Sequence, residues 1–146
     1  MNIRYATEQD TEDILKLEAE CMPHPWSRDN IEALITDERK FALLAEEDGM
    51  TAGYIGISYV LDEAEVGNIC VSADHRRRGL ASALIDRTSE ILKGLGVVRI
   101  FLEVESDNAG AIALYERCGF IRYSERKDYY GTGRDALLYR LEGDIQ

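Results

Sequence analysis

The chain has 146 residues, a length typical of one domain with an ordinary hydrophobic core, so we expect a single domain over residues 1–146. Hydrophobic residues make up 45% and charged residues 31% of the chain, and no apolar run approaches the roughly 20 residues that a membrane-spanning helix needs. The N-terminus carries no signal-peptide pattern. These features exclude a membrane-spanning protein and favour a soluble protein of the cytoplasm.

The net charge of −11 is unevenly distributed. Residues 1–65 carry 16 acidic and 5 basic side chains, whereas residues 66–146 carry 12 of each. This charge argues against general nucleic-acid binding, because phosphate backbones require a positive surface. The acidic first half is interpreted either as solvated helix faces or as a surface that attracts a cationic partner, such as a basic peptide.

The three cysteines are Cys21, Cys70 and Cys118, and they are widely spaced without a C-x-x-C pair. An odd number at this spacing argues against a disulfide framework and a zinc site. We expect reduced, mostly buried thiols and no bound metal.

Hydrophobic periodicity and turn residues define the elements in chain order. Two helices are predicted in the first part, from about residue 8 to residue 21 after Thr7 and again after the N-cap Ser27, with both prolines and the one tryptophan in the loop between them. Two more helices follow. One runs from an arginine-rich turn around Gly79 to about residue 95, and the other covers 109–117 after the N-cap Asn108. Strands are predicted over 3–6, 41–46, 51–61, 65–71, 97–104, 120–127 and 136–141, with turns at 47–50, 62–64 and 131–133. This order predicts a mixed α/β sheet with antiparallel hairpins first and a βαβ unit in the middle.

A basic glycine turn joins the strand at 65–71 to the following helix. Opening N–H groups of a helix have no internal partner and carry partial positive charge, so a strand, a basic turn and a helix can hold a phosphate group. Gly79 allows close approach of the backbone, and arginines add fixed charge. The candidate anion-binding residues are Arg76, Arg77, Arg78, Gly79, Leu80, Ala81 and Ser82.

Two motifs give this layout a family resemblance. The turn fits [Q/R]-x-x-G-x-[G/A] as Arg76-x-x-Gly79-x-Ala81. A second motif, about 30 residues later, reads Asn108-x-x-Ala111-x-x-Leu114-Tyr115-x-x-x-Gly119-Phe120. With these motifs at this spacing, the chain resembles the GNAT superfamily of acetyl-CoA-dependent N-acetyltransferases over nearly its whole length.

Within that superfamily the chain looks most like the RimI type, the ribosomal-protein alanine N-acetyltransferases. The segments that carry this match are Pro25-Trp26-Ser27, Leu102-Glu103-Val104 and Arg126-x-x-Tyr129-Tyr130. Three positions depart from the pattern: Glu105 stands where relatives commonly show arginine, Asp107 where they often show serine, and Arg134 where they often show glutamate. The departures leave the cofactor motif intact and concern the acceptor.

The resemblance implies the GNAT fold, a mixed twisted sheet of six to seven strands flanked by about four helices. It implies acetyl-CoA as the acyl donor, with its pyrophosphate on the basic turn, and it implies that Glu103 is the general base. A strand backbone can also pair with the amides of the pantetheine arm, and its N–H groups can donate to an oxyanion. The strand residues expected there are Ile69, Cys70 and Val71.

Spacing adds to these implications. Glu103 lies late in a strand, on the face opposite to its two neighbours, where a carboxylate can take a proton from an amine. Asn108 and Tyr115 are two helical turns apart and face one side, so Asn108 can contact the pantetheine arm while Tyr115 reaches the sulfur as general acid. The structural alternatives are an exposed strand-end charge for Glu103 and a core aromatic for Tyr115. Cys70 has no sequence-adjacent group to activate it as a nucleophile.

The sequence therefore predicts an enzyme that acetylates the N-terminal α-amine of a protein, specifically the N-terminal alanine of a basic ribosomal protein, and that exists as a monomer or weak dimer. Two alternatives remain open, an acetyltransferase for a small-molecule amine and a non-catalytic acyl-CoA-binding regulator. Trp26, Tyr129 and Tyr130 are interpreted either as packing residues or as the lining of an acceptor groove.

Overall fold

The computed structural model describes residues 1–76 and 78–142 of the chain. Strands and helices follow one another in the predicted order. The strands of this described part are β1 (Asn2–Tyr5), β2 (Lys40–Glu47), β3 (Met50–Val60), β4 (Glu63–Val71), β5 (Arg99–Glu105), β6 (Ile121–Gly131) and β7 (Arg134–Glu142). The α-helices in the same ranges are α1 (Thr11–Cys21), α2 (Arg28–Thr36), α3 (Leu80–Gly94) and α4 (Ala109–Arg117), with short 3-10 turns at Glu8–Asp10 and Ala73–His75 before α1 and α3.

The strands form one seven-stranded sheet in the order β1-β2-β3-β4-β5-β7-β6. Neighbouring strands run antiparallel except β4 and β5, which are parallel and connected through α3. The predicted fold class, a mixed α/β sheet with about four helices, is confirmed. No helix in the described ranges is long and apolar enough to cross a membrane.

Helices cover both faces of the sheet, each with its own hydrophobic cluster. On one face, Ile14 of α1, Ile31 of α2 and Leu44 of β2 belong to one buried cluster. On the other face, Leu84 of α3 clusters with Leu43, the residue beside Leu44 in β2. Successive strand residues point to opposite faces, so this apolar strand serves both clusters. Each of these side chains is at most 1% exposed and stabilises the fold by roughly 1.5–3 kcal/mol.

Polar caps fix where two of the helices begin. The Ser27 hydroxyl accepts the N–H of Asn30 at 3.2 Å, and the Asn108 side chain accepts the N–H of Ala111 at 3.2 Å. Each cap satisfies an N–H group that has no partner within its helix. Both predicted helix starts are confirmed.

The turn between β3 and β4 differs from the prediction. It occupies Leu61 and Asp62 rather than residues 62–64, and Glu63 is already part of β4. Leu61 adopts a left-handed conformation with a φ of 57°, which suits a two-residue hairpin turn. Leucine rarely adopts this conformation, so the sequence predicted a turn that begins one residue later, at Asp62.

Strand β6 is longer than the predicted 120–127 and contains an irregularity. Arg126 pairs with Ala136 and Gly131 pairs with Arg134, so residues 127–130 leave the ladder as a bulge. This bulge matters for the site described below, because it changes the direction of the strand at the edge of the sheet.

Candidate active site

A cleft opens between β4 and β5 where their pairing stops. The two strands pair only between residues 63–65 and 99–101, although β4 continues to Val71 and β5 to Glu105. Beyond this short ladder, the backbone of β4 that faces β5 has no partner among the described strands. The opening has a volume of about 1180 Å³, and its lining comes from α3 and α4 on one face of the sheet and from the α1–α2 loop on the other.

The N-terminus of α3 forms one end of the cleft. Gly79 precedes the helix in the left-handed conformation, with a φ of 77°, and no side chain caps the helix there. The first turn of α3 contains no acidic residue, and its N–H groups have no partner within the helix. A terminus of this kind binds an anionic group such as a pyrophosphate. The residues of this end that line the cleft are Gly79, Leu80, Ala81 and Ser82.

The three arginines of the basic turn occupy different positions. Arg76 lines the cleft, and its Nε donates to the carbonyl of Val71 at 3.1 Å. Arg78 does not line the cleft, and its guanidinium lies 3.7 Å from the Glu47 carboxylate. Arg77 lies outside the described residues. The structure thus brings Arg76 to the predicted anion site, while cofactor contacts of Arg77 and Arg78 stay predictions.

Strand β4 forms one wall with Ile69, Cys70 and Val71. Its unpaired backbone edge offers N–H and C=O groups to a ligand with amides of its own. The Cys70 side chain points to the α1–α2 face, where burial, and then the neighbouring Glu18 carboxylate, raise the pKa of its thiol. The thiol therefore stays protonated at neutral pH, which argues against Cys70 as a nucleophile.

Helix α4 forms the opposite wall. Asn108 and Tyr115 both line the cleft, as their spacing of two helical turns predicts. The carbonyl oxygen of the Asn108 side chain caps the helix, which orients its amide nitrogen for other partners. Tyr115 is only 7% exposed, and burial, followed by the nearby Cys70, raises the pKa of its phenol to about 12. Tyr115 therefore keeps its proton at neutral pH and is available as an acid.

Two glutamates of β5 line the cleft with different partners. Both oxygens of Glu105 accept hydrogen bonds of 2.9 Å from Arg134, and this contact lowers the pKa of Glu105. Glu103 lies beside the hydroxyl of Tyr129 and raises the pKa of that phenol. Because Glu105 is held by a cation, Glu103 is the carboxylate better placed to accept a proton from a substrate.

The loop between α1 and α2 forms the mouth on the other face. Trp26 packs directly on Gly67. The contact is so close that a Cβ atom added to Gly67 would lie 2.4 Å from Cη2 of the indole. Gly67 is the extra residue of a β-bulge, where β3 and β4 shift register. Trp26 therefore anchors the loop and also lines the cleft. Cys21 at the end of α1 also lines the cleft, together with the loop residues Met22, Pro23, His24 and Trp26.

The β6 bulge supplies another side of this mouth. Asp135 accepts the N–H of Asp128 at 2.9 Å, and Asp128 accepts the N–H of Gly133 at 2.6 Å, so two aspartates hold the bulge. Tyr130 lines the cleft, whereas Tyr129 does not and is 46% exposed. The two tyrosines, which the sequence left undecided, thus occupy different positions.

The sequence interpretation missed Glu18. This residue is completely buried, and its carboxylate accepts hydrogen bonds from the backbone N–H of Trp26, the amide of Asn68 and the hydroxyl of Tyr54. One signal was present in the sequence. Glu18 follows Ile14 by four residues, so it lies on the apolar stripe of α1, where a charged side chain is unexpected.

Known proteins match the chain in sequence and in structure. Residues 11–120 match the acetyltransferase (GNAT) family. The [ribosomal protein bS18]-alanine N-acetyltransferase of Escherichia coli strain K12 is 38% identical over 128 residues, which cover 86% of each chain. N-alpha-acetyltransferase 30 of Schizosaccharomyces pombe is 33% identical over 81% of this chain and 74% of its own. The crystal structure of the ribosomal-protein-S18-alanine N-acetyltransferase from Escherichia coli superposes with a TM-score of 0.91 at 32% identity, covering 99% of this chain and 95% of that one.

Proposed function

The chain belongs to the acetyltransferase (GNAT) family, and from this premise we propose that it transfers the acetyl group of acetyl-CoA to the N-terminal α-amine of a protein. The acceptor is the N-terminal alanine of a ribosomal protein, the substrate for which the Escherichia coli relative is named. The observation that carries the proposal is that Glu103 and Tyr115 line one cleft, between an anion-binding helix terminus and a separate mouth at Trp26.

The residues present fit acetyl-CoA. The first turn of α3 and Arg76 supply N–H groups and positive charge for the pyrophosphate. The free edge of β4 supplies partners for the amides of the pantetheine arm. The Asn108 amide lies on the facing wall, and Tyr115 lies in the same wall for the thioester end.

Glu103 acts as the general base. An amine attacks only in its neutral form, and an N-terminal α-amine has a pKa of about 8, against about 10.4 for lysine. Deprotonation of an α-ammonium is therefore easier by roughly 3 kcal/mol at a given pH. A carboxylate base suits the α-amine better than a lysine, which agrees with the proposed acceptor.

The transfer then needs two bond changes. The amine nitrogen forms a bond to the thioester carbonyl carbon, and its proton passes to Glu103 directly or through water. A backbone N–H near Cys70 or Val71 stabilises the negative oxygen of the tetrahedral intermediate. The C–S bond breaks as Tyr115 gives its proton to the departing sulfur, and the products are the N-acetylated chain and free coenzyme A.

The acceptor enters through the mouth lined by Trp26 and Tyr130, because the other end of the cleft serves the cofactor. A basic acceptor suits the charge of the enzyme, since residues 1–65 carry 16 acidic against 5 basic side chains. This charge attracts a cationic protein by long-range steering, so the rate of association falls as salt increases.

A peptide panel with acetyl-CoA tests the proposal. The panel contains a basic peptide with a free N-terminal alanine, the same peptide with a blocked N-terminus and an internal lysine, and free small amines such as polyamines. Intact-mass spectrometry should find one added acetyl group on the first peptide and none on the second. Acetylation of only the small amines would refute the proposed acceptor.

A second comparison separates an enzyme from an acyl-CoA-binding regulator. Glu103→Gln and Tyr115→Phe should abolish most turnover while binding of acetyl-CoA, measured by calorimetry, is kept. A wild-type chain that binds acetyl-CoA and acetylates no amine would contradict the catalytic proposal.

A further inference from the structure

Glu18 is a buried carboxylate that the proposed chemistry does not use. Its side chain is 0% exposed, and within the described part of the chain no ion pair reaches it. Oε1 accepts the backbone N–H of Trp26 at 2.8 Å. Oε2 accepts the Asn68 amide at 2.8 Å and the Tyr54 hydroxyl, and it lies 3.6 Å from the Cys70 sulfur. Four donors thus converge on one carboxylate.

Burying an isolated carboxylate is costly unless hydrogen bonds replace its water. The donors around Glu18 provide this replacement, and they come from a loop and two strands that are distant in sequence. Burial, and then the neighbouring Glu18 carboxylate, raise the pKa values of Tyr54 and Cys70, so both groups keep the protons that they donate. Removing the carboxylate would leave several buried donors without a partner at once.

The partners of Glu18 form part of the cleft, whereas Glu18 itself lies behind its lining. Trp26, Asn68 and Cys70 all line the cleft. Asn68 follows Gly67, the bulge residue on which the Trp26 indole packs. One carboxylate therefore connects the α1–α2 loop to the bulge of β4, at the place where Trp26 packs on Gly67 and both line the cleft.

We propose that Glu18 is a positioning residue that fixes the acceptor mouth by holding the Trp26 loop against the bulge of β4. The proposal rests on the proposed function, because it assigns this mouth to the acceptor amine. It deepens that function by making acceptor affinity, but not acetyl-CoA affinity, depend on a residue that touches neither substrate. A carboxylate that only stabilised the fold would affect neither affinity.

The test is Glu18→Gln, which keeps the size of the side chain but removes the charge and places an NH₂ group among donors. We expect the KM for the acceptor peptide to rise on the order of tenfold, with the KM for acetyl-CoA unchanged. Trp26 is the one tryptophan of the chain, so its fluorescence reports on the loop directly. Its emission should shift to longer wavelength and become more sensitive to acrylamide quenching.

Asp10→Asn is the matched control, another carboxylate-to-amide change at a buried acidic residue. Asp10 binds Arg4 and does not line the cleft, so this variant should lose stability without a change in acceptor KM or Trp26 emission. Tyr54→Phe is the alternative test if Glu18→Gln does not fold. It removes one hydrogen-bond donor to Glu18, and Tyr54 also lies outside the lining of the cleft. It should raise the acceptor KM by about two- to threefold and shift the emission in the same direction.

A folded Glu18→Gln protein with unchanged acceptor KM and unchanged Trp26 emission would overturn the proposal. An equal rise in the KM for acetyl-CoA would also overturn it, since the effect would then be general. Failure of the proposed function gives a different result: the wild-type chain would acetylate only small amines. The role of Glu18 would then be judged by the KM for that amine and by the Trp26 emission, which needs no acceptor.

Discussion

Arg134 and Glu105 form a two-point ion pair in the lining of the cleft, at the proposed acceptor mouth, with both hydrogen bonds at 2.9 Å. Arg134 also donates to the carbonyl of Tyr130 at 3.2 Å and lies 5.9 Å from the centre of its ring. The pair therefore connects β5 to the β6–β7 hairpin. Both residues depart from the RimI-type pattern, which commonly has arginine and glutamate at these positions. The two departures meet in space, because each of these residues is the ion-pair partner of the other.

This relationship predicts the outcome of charge reversal. Arg134→Glu places two carboxylates face to face, so Tyr130 loses its support and the acceptor KM should rise on the order of tenfold. The double variant Glu105→Arg with Arg134→Glu restores opposite charges and should recover most of the loss. Steady-state kinetics with the acceptor peptide and with acetyl-CoA checks both, and the KM for acetyl-CoA should stay constant.

Arg122→Glu is the control for this charge reversal. Arg122 lies on β6 in an exposed ion pair with Glu125 at 3.6 Å and does not line the cleft. Its reversal should leave both KM values unchanged, because exposed pairs of this kind contribute little. A double variant no better than Arg134→Glu alone would show that the ion pair does not orient the mouth.

Removal of the proposed base or acid should slow chemistry without weakening cofactor binding. Glu103→Gln and Tyr115→Phe should each lower kcat by about 10²–10⁴-fold, the usual contribution of a positioned acid or base. Acetyl-CoA affinity should change by less than about twofold, because the anion site at α3 is untouched. A kcat loss below about threefold for either variant would remove that residue from the mechanism.

The pKa of Tyr115 makes a separate prediction about pH. A phenol can donate its proton only below its pKa, and burial raises this pKa to about 12. Activity that depends on Tyr115 is therefore present at lower pH and is lost only as the pH rises through about 12. The pH profile of kcat should show no loss from Tyr115 up to about pH 10. A decline near pH 9 that disappears in Tyr115→Phe would contradict this assignment.

Gly67→Ala tests the contact between Trp26 and the bulge of β4. The added Cβ would lie 2.4 Å from the indole, so the loop must move. We expect a loss of about 1–3 kcal/mol of unfolding free energy and a higher acceptor KM. Gly94→Ala at the end of α3 is the control, because its Cβ meets nothing within 4 Å. The unfolding free energy of Gly94→Ala, measured by urea unfolding, and its acceptor KM should both stay close to the wild-type values.

Asp10 predicts how stability depends on pH. Hydrogen bonds from Arg4 hold the pKa of Asp10 below its usual value of 3.8, although burial acts in the opposite direction. A carboxyl with a depressed pKa in the fold adds stability that is present above the unfolded value and is lost as the pH falls through the folded one. Asp10→Asn should lower the unfolding free energy at pH 7 by about 1–2 kcal/mol. Wild type should then lose more stability than this variant between pH 5 and pH 2, and equal losses would contradict the prediction.

Local signals explain what the sequence predicted well. The caps Ser27 and Asn108 and the left-handed Gly79 act on residues within a single turn, so their neighbours in the sequence are also their neighbours in space. The same holds for the spacing of Asn108 and Tyr115, which the helix converts directly into a shared wall.

Contacts between distant residues explain what the sequence left out. Glu18 meets Tyr54 across 36 positions and Asn68 across 50, and Glu105 meets Arg134 across 29. No periodicity reports such pairs, because they depend on how the helices and strands pack. The β6 bulge is similar: only the pairing with β7 shows that residues 127–130 leave the ladder, where Asp128 adopts a left-handed conformation with a φ of 56°.

Within the described residues, the sheet has two parts, one of four strands (β1 to β4) and one of three (β5 to β7). The β4–β5 ladder joins the two parts through three residue pairs, the first between Glu63 and Arg99 and the last between Glu65 and Phe101. A ligand whose amides form hydrogen bonds to the unpaired edge of β4 would extend this ladder, as an added strand does. We therefore expect binding of acetyl-CoA to join the two parts of the sheet more firmly beside the proposed acceptor site.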